Sequence, residues 1–192
     1  MAFNPSLVVR HYGNSMEEVG ACRSDCALFD FSFIARARLR GPNAVEAFAR
    51  LTGRQLQDLA PGRIRYAVRE SASGHLLSDL TIWRHRDGYS VMSGRSEDIA
   101  ELVSATGPVV SAEDLSAATA IFAVQGPASL AVLRDCMDAS TVSQLPYFAF
   151  TEARIRNVRC LVGRLGYTGE AGFEIVLPRS EAPPIWELLA QR

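Results

Sequence analysis

Apolar and polar positions along the chain change period in a fixed order, and that order occurs twice. Ala35–Arg40 alternates as a half-buried strand does, a Gly41-Pro42 break follows, and Val45, Phe48 and Leu51 then recur at the spacing of a buried helical stripe. Ala120–Gln125 repeats the strand, Gly126-Pro127 the break, and Leu130, Val132 and Leu133 the stripe. Proline directly after glycine suits the first turn of a helix. The two breaks lie about 85 positions apart, and Gly88–Glu97 finds an echo in Gly172–Glu181 at almost the same offset.

Each repeat therefore predicts a strand, a helix, a connection, a strand pair and a closing helix. In the first, the pair is Leu76–Trp83 and Tyr89–Met92, joined by a turn over 85–88 whose Asp87-Gly88 is a hairpin signal. In the second it is Arg159–Arg164 and Phe173–Leu177, joined by the glycine-rich link Gly166–Gly172. Closing helices are expected at Ser96–Ala105 and Pro184–Gln191. The predicted fold class is α+β: duplicated strand-helix-strand-strand-helix units at about 33–106 and 118–192, sharing one continuous core. The period of two also places Arg36, Arg38 and Arg40 on one strand face, as a solvated surface or as a site for an acidic ligand tail or partner.

Composition narrows the function classes. Hydrophobic residues at 48% and charged residues at 21% exclude a disordered or fibrous chain. With 20 Lys and Arg against 21 Asp and Glu, the basic excess of a nucleic-acid binder is missing. No apolar run approaches the roughly 20 residues of a membrane helix, and Met1–Pro5 has no basic region leading into an apolar one. The expectation is a cytoplasmic protein with no nucleic-acid or membrane partner. Cys22, Cys26, Cys136 and Cys160 are too scattered for a disulfide framework. Cys22 and Cys26 lie one helical turn apart but lack further ligands at a zinc spacing, so the four read as reduced, buried or half-buried thiols and no metal site is predicted.

Candidate chemistry sits where the repeats differ. The link Gly166-Tyr167-Thr168-Gly169-Glu170-Ala171-Gly172 is longer than its counterpart, and its glycines allow close backbone approach to a flat ligand or unusual dihedrals, with Tyr167 supplying an aromatic face and a hydroxyl. Glu174 stands where the first repeat has Ser90, in an otherwise apolar strand, either as an outward residue at a wet edge or as a ligand anchor. Asp79 opens a β-branched and aromatic stretch, either as a turn or cap residue or as a functional carboxylate. His11, His75 and His85 complete no catalytic triad, and neither a phosphate loop nor a dinucleotide fingerprint is present.

Gly166–Ile175 closely resembles the G-Y-T-G-E-D-G-F-E-I signature of the glycine cleavage system T-protein family, the tetrahydrofolate-dependent aminomethyltransferases. Arg23–Ser32, Pro61–Tyr66, Gly74–Thr81 and Gln125-Gly126-Pro127 are similar to further family segments in the same order, from about residue 15 to the end. The resemblance implies the folate-binding domain of that family without its C-terminal barrel. Residue by residue, it implies that Tyr167 and Glu174 bind the pterin, that Tyr66 lines the same cavity, and that Asp79 acts near the reacting nitrogens of tetrahydrofolate as cosubstrate. Ser78 replaces the first Asp of the family's D-D-L, Ala171 the signature's Asp, and Phe33 the His usual in T-proteins. The implied function is a tetrahydrofolate-dependent aminomethyl- or methyltransferase of one-carbon metabolism. The alternative is a non-catalytic folate-binding module or subunit of a sarcosine-oxidase-like or demethylase assembly, with a second protein chain or a second copy covering the open side of the site. An iron-sulfur maintenance relative is the least favoured, because its cysteine motif is missing.

Overall fold

The computed structural model describes residues 2–3, 6–41, 44–105 and 110–192. In chain order the elements are β1 (Ala2–Phe3), β2 (Ser6–Leu7), α1 (Ser15–Ser24), β3 (Ala27–Asp30), β4 (Ala35–Arg40), α2 (Ala44–Thr52), β5 (Ile64–Glu70), β6 (Leu76–His85), β7 (Gly88–Ser93) and α3 (Ser96–Ala105). They continue with β8 (Ser111–Asp114), β9 (Thr119–Gln125), α4 (Ser129–Cys136), α5 (Ala139–Ser143), β10 (Phe150–Ile155), β11 (Val158–Gly163), β12 (Gly172–Pro178) and α6 (Ala182–Ala190). The chain divides into two compact units, one of residues 33–117 and the other of 1–32 with 118–192.

The 33–117 unit holds an antiparallel sheet of order β5-β6-β7-β4-β8, and the other unit a sheet of order β10-β11-β12-β9-β3. In both, the consecutive antiparallel strands meet a long strand that precedes them in the chain, β4 or β9, and a short fifth strand closes the edge. Those fifth strands are exchanged along the sequence. β3 leads into β4 yet pairs with β9, and β8 leads into β9 yet pairs with β4. Connections of this kind make each edge strand a non-local partner, which period alone does not reveal.

One face of each sheet is apolar and covered by helices. In the 33–117 unit, Ala35, Ala37, Leu39, Ala67, Leu80, Ile82 and Val91 meet Phe48 of α2 and Ile99 and Leu102 of α3. In the other, Phe122, Val124, Cys160, Val162, Phe173, Ile175 and Leu177 meet Leu133 of α4 and Ile185, Leu188 and Leu189 of α6. The helix-covered faces thus carry two apolar clusters, one in each unit. Phe48 and Leu133 are fully buried, and Val45, Leu51, Leu130 and Val132 pack partly buried beside them. Pro42, expected to open a helix, lies outside the described residues.

Of the arginine row of β4, only Arg40 is solvated. Arg36 and Arg38 are buried, and each has partners inside its own unit. Arg36 donates to the backbone oxygens of Ser116 (2.8 Å) and Ile34, while Arg38 and Arg40 converge on Asp87 in the β6–β7 turn, Arg40 Nε at 3.1 Å from Oδ2. The acidic partner of the row is a residue of the adjoining turn. Cys22, Cys136 and Cys160 are buried, Cys26 is half-buried, and all four are free thiols.

Candidate functional site

The four residues singled out by sequence fall two to each unit. Tyr66 and Asp79 belong to the 33–117 unit, on the neighbouring strands β5 and β6. Register pairs Val68 with Asp79 and Tyr66 with Thr81, so alternation puts the Tyr66 and Asp79 side chains on one face as diagonal neighbours. This is the sheet face opposite the helices. Burial, and after it the charge and hydrogen-bonding capacity of Asp79, hold the Tyr66 phenol above its usual pKa. Tyr66 is exposed and Asp79 half-buried, so the pair offers a protonated phenol beside a carboxylate. Asp79 sits inside the ten-residue β6, not in a turn or cap.

The residue before it has a different task. Ser78 points to the helix side and donates to Oδ2 of the fully buried Asp98 in α3 at 2.5 Å; Ser93 donates to the same oxygen at 2.6 Å and Arg69 to Oδ1 at 2.7 Å. Burial alone would raise the pKa of Asp98, but the donors Ser78, Ser93 and Arg69 outweigh it and hold the carboxyl below its usual range. An aspartate at 78 would place a second carboxylate against Asp98. Serine at this position is therefore required by the local network, which ties the start of β6 to α3.

Tyr167 and Glu174 belong to the other unit, on the link before β12 and on β12 itself. Glu174 lies in register with Ala123 of β9 and Gly163 of β11, on the face opposite the helices. It is only 2% exposed, and its Oε1 has no hydrogen-bond partner. Burial without compensation pushes the carboxyl up to about 7. The neighbours explain how an unpaired carboxylate finds room: Ala123 and Gly163 are too small to fill the row. In the 33–117 sheet, the row that crosses the corresponding strands is Arg38–Ser90–Trp83, with bulky side chains flanking a small one. The two sheets invert size at this position: one has a buried carboxylate with an unpartnered oxygen where the other has a buried serine hydroxyl bonded to His85. Glu174 at a wet edge is thereby excluded.

The link that carries Tyr167 is held from several sides. Arg23, in the last turn of α1, donates through Nη1 to the Thr168 carbonyl (2.6 Å) and to Glu170 Oε1 (2.9 Å). α1 itself is fixed by Asn14, whose Oδ1 accepts from the Met16 amide at 3.0 Å. At the end of β9, Gly126 has φ of 133° and its amide donates to the Ala171 carbonyl at 2.7 Å. A Cβ at 126 would stand 2.4 Å from the Asp25 carbonyl oxygen, so the chain can turn into α4 here only with glycine. Tyr167 remains about half exposed, at 52%. Arg23 stood in the sequence only within a family-like segment and Gly126 also as the break of the second repeat; their clamping role depends on contacts distant in sequence. Among the described residues no cluster of three or more His, Cys, Asp or Glu side chains could hold a metal ion, and no helix is long and apolar enough to cross a membrane.

Known proteins are similar to this chain in sequence and fold. The aminomethyltransferase of Desulforamulus reducens is 30% identical over 191 residues, covering 97% of this chain and 52% of that protein. That of Rubrobacter xylanophilus is 32% identical over 184 residues, covering 94% and 49%. The chain thus spans about half the length of the curated relatives it matches. Among solved structures, the glycine cleavage system aminomethyltransferase T from Bartonella henselae superposes with a TM-score of 0.78 at 29% identity, over 90% of this chain and 47% of that one. A chain of the heterotetrameric sarcosine oxidase from Corynebacterium sp. U-96, solved in complex with pyrrole 2-carboxylate, shares the fold with a TM-score of 0.66 at 22% identity, over 88% of this chain and 86% of that one. The model of the GCVT N-terminal domain matches residues 8–192, and on that match, with the fold and the aminomethyltransferase relatives, the chain belongs to the GCVT N-terminal domain family.

Proposed function

We propose that the protein binds tetrahydrofolate and serves one-carbon transfer of the aminomethyl- or methyltransferase type. The observation that carries this reading is the buried, unpartnered Oε1 of Glu174 beside Ala123 and Gly163. A buried carboxylate that lacks donors in its own protein is suited to accept them from a ligand. The amino group and ring N–H on one edge of a pterin supply two such donors side by side, and charge-assisted pairs of that kind are the stronger hydrogen bonds. Tyr167, exposed on the adjoining link, offers a ring for the flat face of the same ligand.

The chemistry supplied by tetrahydrofolate when bound is a nucleophilic nitrogen that accepts a one-carbon unit. Asp79 is assigned to orient the ligand and to hold or take up a proton near that nitrogen, with Tyr66 beside it lining the site. The same strand order in both sheets supports reading the chain as a duplicated folate-binding domain with repeats at about 33–106 and 118–192. Titration calorimetry with tetrahydrofolate tests the proposal: the protein binds, and Glu174→Ala weakens affinity at least about tenfold and more than Asp79→Ala does. Absence of binding to the wild type would refute it. Transfer activity that survives unchanged in Asp79→Asn would remove Asp79 from the chemistry.

A second reading has its own support. A chain of a heteromeric enzyme, the heterotetrameric sarcosine oxidase, shares the fold. On this reading the protein is the folate-binding module of a heteromeric assembly, and a second chain or a second copy completes the site. Folate binding without transfer by the purified protein, with transfer restored by a partner, would favour it.

A further inference from the structure

Gln125, the last residue of β9, is fully buried, and its amide lies between two glycines of the following strand system. A Cβ on Gly166 would fall 1.7 Å from Gln125 Oε1, and a Cβ on Gly172 would fall 2.3 Å from Nε2. Neither glycine is required by its backbone conformation, since neither has a positive φ; each is needed because the amide occupies the space above it. That amide uses both of its ends. Nε2 donates to the carbonyls of Leu165 (3.2 Å) and Phe173 (3.3 Å), and Oε1 accepts from the Thr168 hydroxyl at 3.0 Å. One side chain therefore grips the link before it, within it and after it, on either side of Tyr167 and immediately ahead of Glu174.

We infer that Gln125 is a positioning residue for the ligand site: by threading between Gly166 and Gly172 it sets the path of the link and so the places of Tyr167 and Glu174. The inference rests on the tetrahydrofolate reading for its consequence and on the geometry of the link for its cause. It also accounts for the two outer glycines of the link, for which the sequence leaves close approach to a flat ligand or unusual dihedrals open. Here the group that approaches both backbones is the glutamine amide of the protein itself.

The amide cannot step aside without breaking three hydrogen bonds in a place closed to water. Gly166→Ala should therefore act through Gln125, and the two positions should be strongly non-additive. Gln125→Met keeps the bulk and removes both donor and acceptor. Gln125→Ala removes the bulk too, and it makes room for a methyl group at 166.

The experiment measures the protein without ligand and with tetrahydrofolate. In the ligand-free state, hydrogen exchange of amides in the 166–172 link should quicken at least about tenfold in Gln125→Met and in Gly166→Ala. The double variant Gly166→Ala/Gln125→Ala should exchange no faster than Gln125→Ala alone. Among variants that melt well above the assay temperature, tetrahydrofolate affinity should fall about tenfold or more in Gln125→Met. Unchanged link exchange in Gln125→Met, or simple additivity in the double variant, would overturn the positioning role. Faster exchange with unchanged affinity would restrict Gln125 to the fold and overturn its place in the site. If the wild type binds no tetrahydrofolate while the exchange pattern holds, the ligand reading fails and the control of the link by Gln125 stands.

Discussion

Replacing Glu174 by glutamine should make the protein less sensitive to alkaline pH while it loses its ligand. The carboxyl is raised from its ordinary 4.5 to about 7 by burial. A folded state that holds its proton more tightly than the unfolded state is favoured at low pH, and that advantage is lost as pH rises from about 4.5 through about 7. Integrated between pH 5 and pH 8, the Glu174 contribution falls by about 2.5 kcal/mol. Glutamine does not titrate. The assay is urea unfolding of wild type and Glu174→Gln at pH 5 and pH 8, with every other titrating group common to both proteins. The wild type should lose roughly 2.5 kcal/mol more than the variant across that interval. A difference within about 0.5 kcal/mol, or one of opposite sign, would refute the claim that an uncompensated carboxylate is buried between Ala123 and Gly163. The comparison within each protein matters more than absolute stability, because the amide introduced at 174 also lacks partners.

The same group makes ligand affinity depend on pH. If donors of the ligand require the ionised carboxylate, a pKa of about 7 makes tetrahydrofolate binding about tenfold tighter at pH 8 than at pH 6, and calorimetry on Glu174→Gln should show that dependence gone. Asp98→Ala leaves Arg69, Ser78 and Ser93 without their shared acceptor, so chemical denaturation should show a loss of roughly 3 kcal/mol, with no loss expected for an exposed control such as Glu97→Ala. Gly126→Ala places a methyl group 2.4 Å from the Asp25 carbonyl at a φ of 133°, and its melting temperature should drop by several degrees, from a cost of about 2 kcal/mol or more. Tyr66→Phe should leave tetrahydrofolate affinity nearly intact and shift the pH profile of transfer if the phenol shares a proton with Asp79.

The fold was legible where a strand or helix shows a clean period. β4, β6, β7, β9, β11 and β12 and the closing helices lie within a few residues of the ranges read from alternation and spacing. β5 and β10 escaped as elements because Arg65, Arg69, Glu152 and Arg154 interrupt their apolar positions, and both are edge strands with one face toward solvent. The exchange of β3 and β8 depends on which strands pair, and pairing is a property of two distant segments. A pattern likewise shows that a face is apolar without showing what covers it. The arginine row illustrates the reverse case: the acidic partner of the buried Arg38 is Asp87, in a turn 49 positions further on.

The site was legible to the same depth. Glu174 stood out because a carboxylate in an apolar strand must be either wet or used, and the structure removes the first option. Gln125 gave no such signal, since a polar residue at a strand end is ordinary. Its meaning comes from the two glycines that yield to it, 41 and 47 positions downstream. Ser78, a departure from the family's paired aspartates, becomes intelligible only once Asp98 is seen to accept its hydroxyl.

The central claim is that Glu174 is a buried acceptor reserved for a ligand. Calorimetric titration of the wild type and Glu174→Gln with tetrahydrofolate at pH 8 tests it most directly. The account predicts saturable binding by the wild type and at least a tenfold weaker affinity in the variant; no binding by the wild type, or equal binding by both, would contradict it.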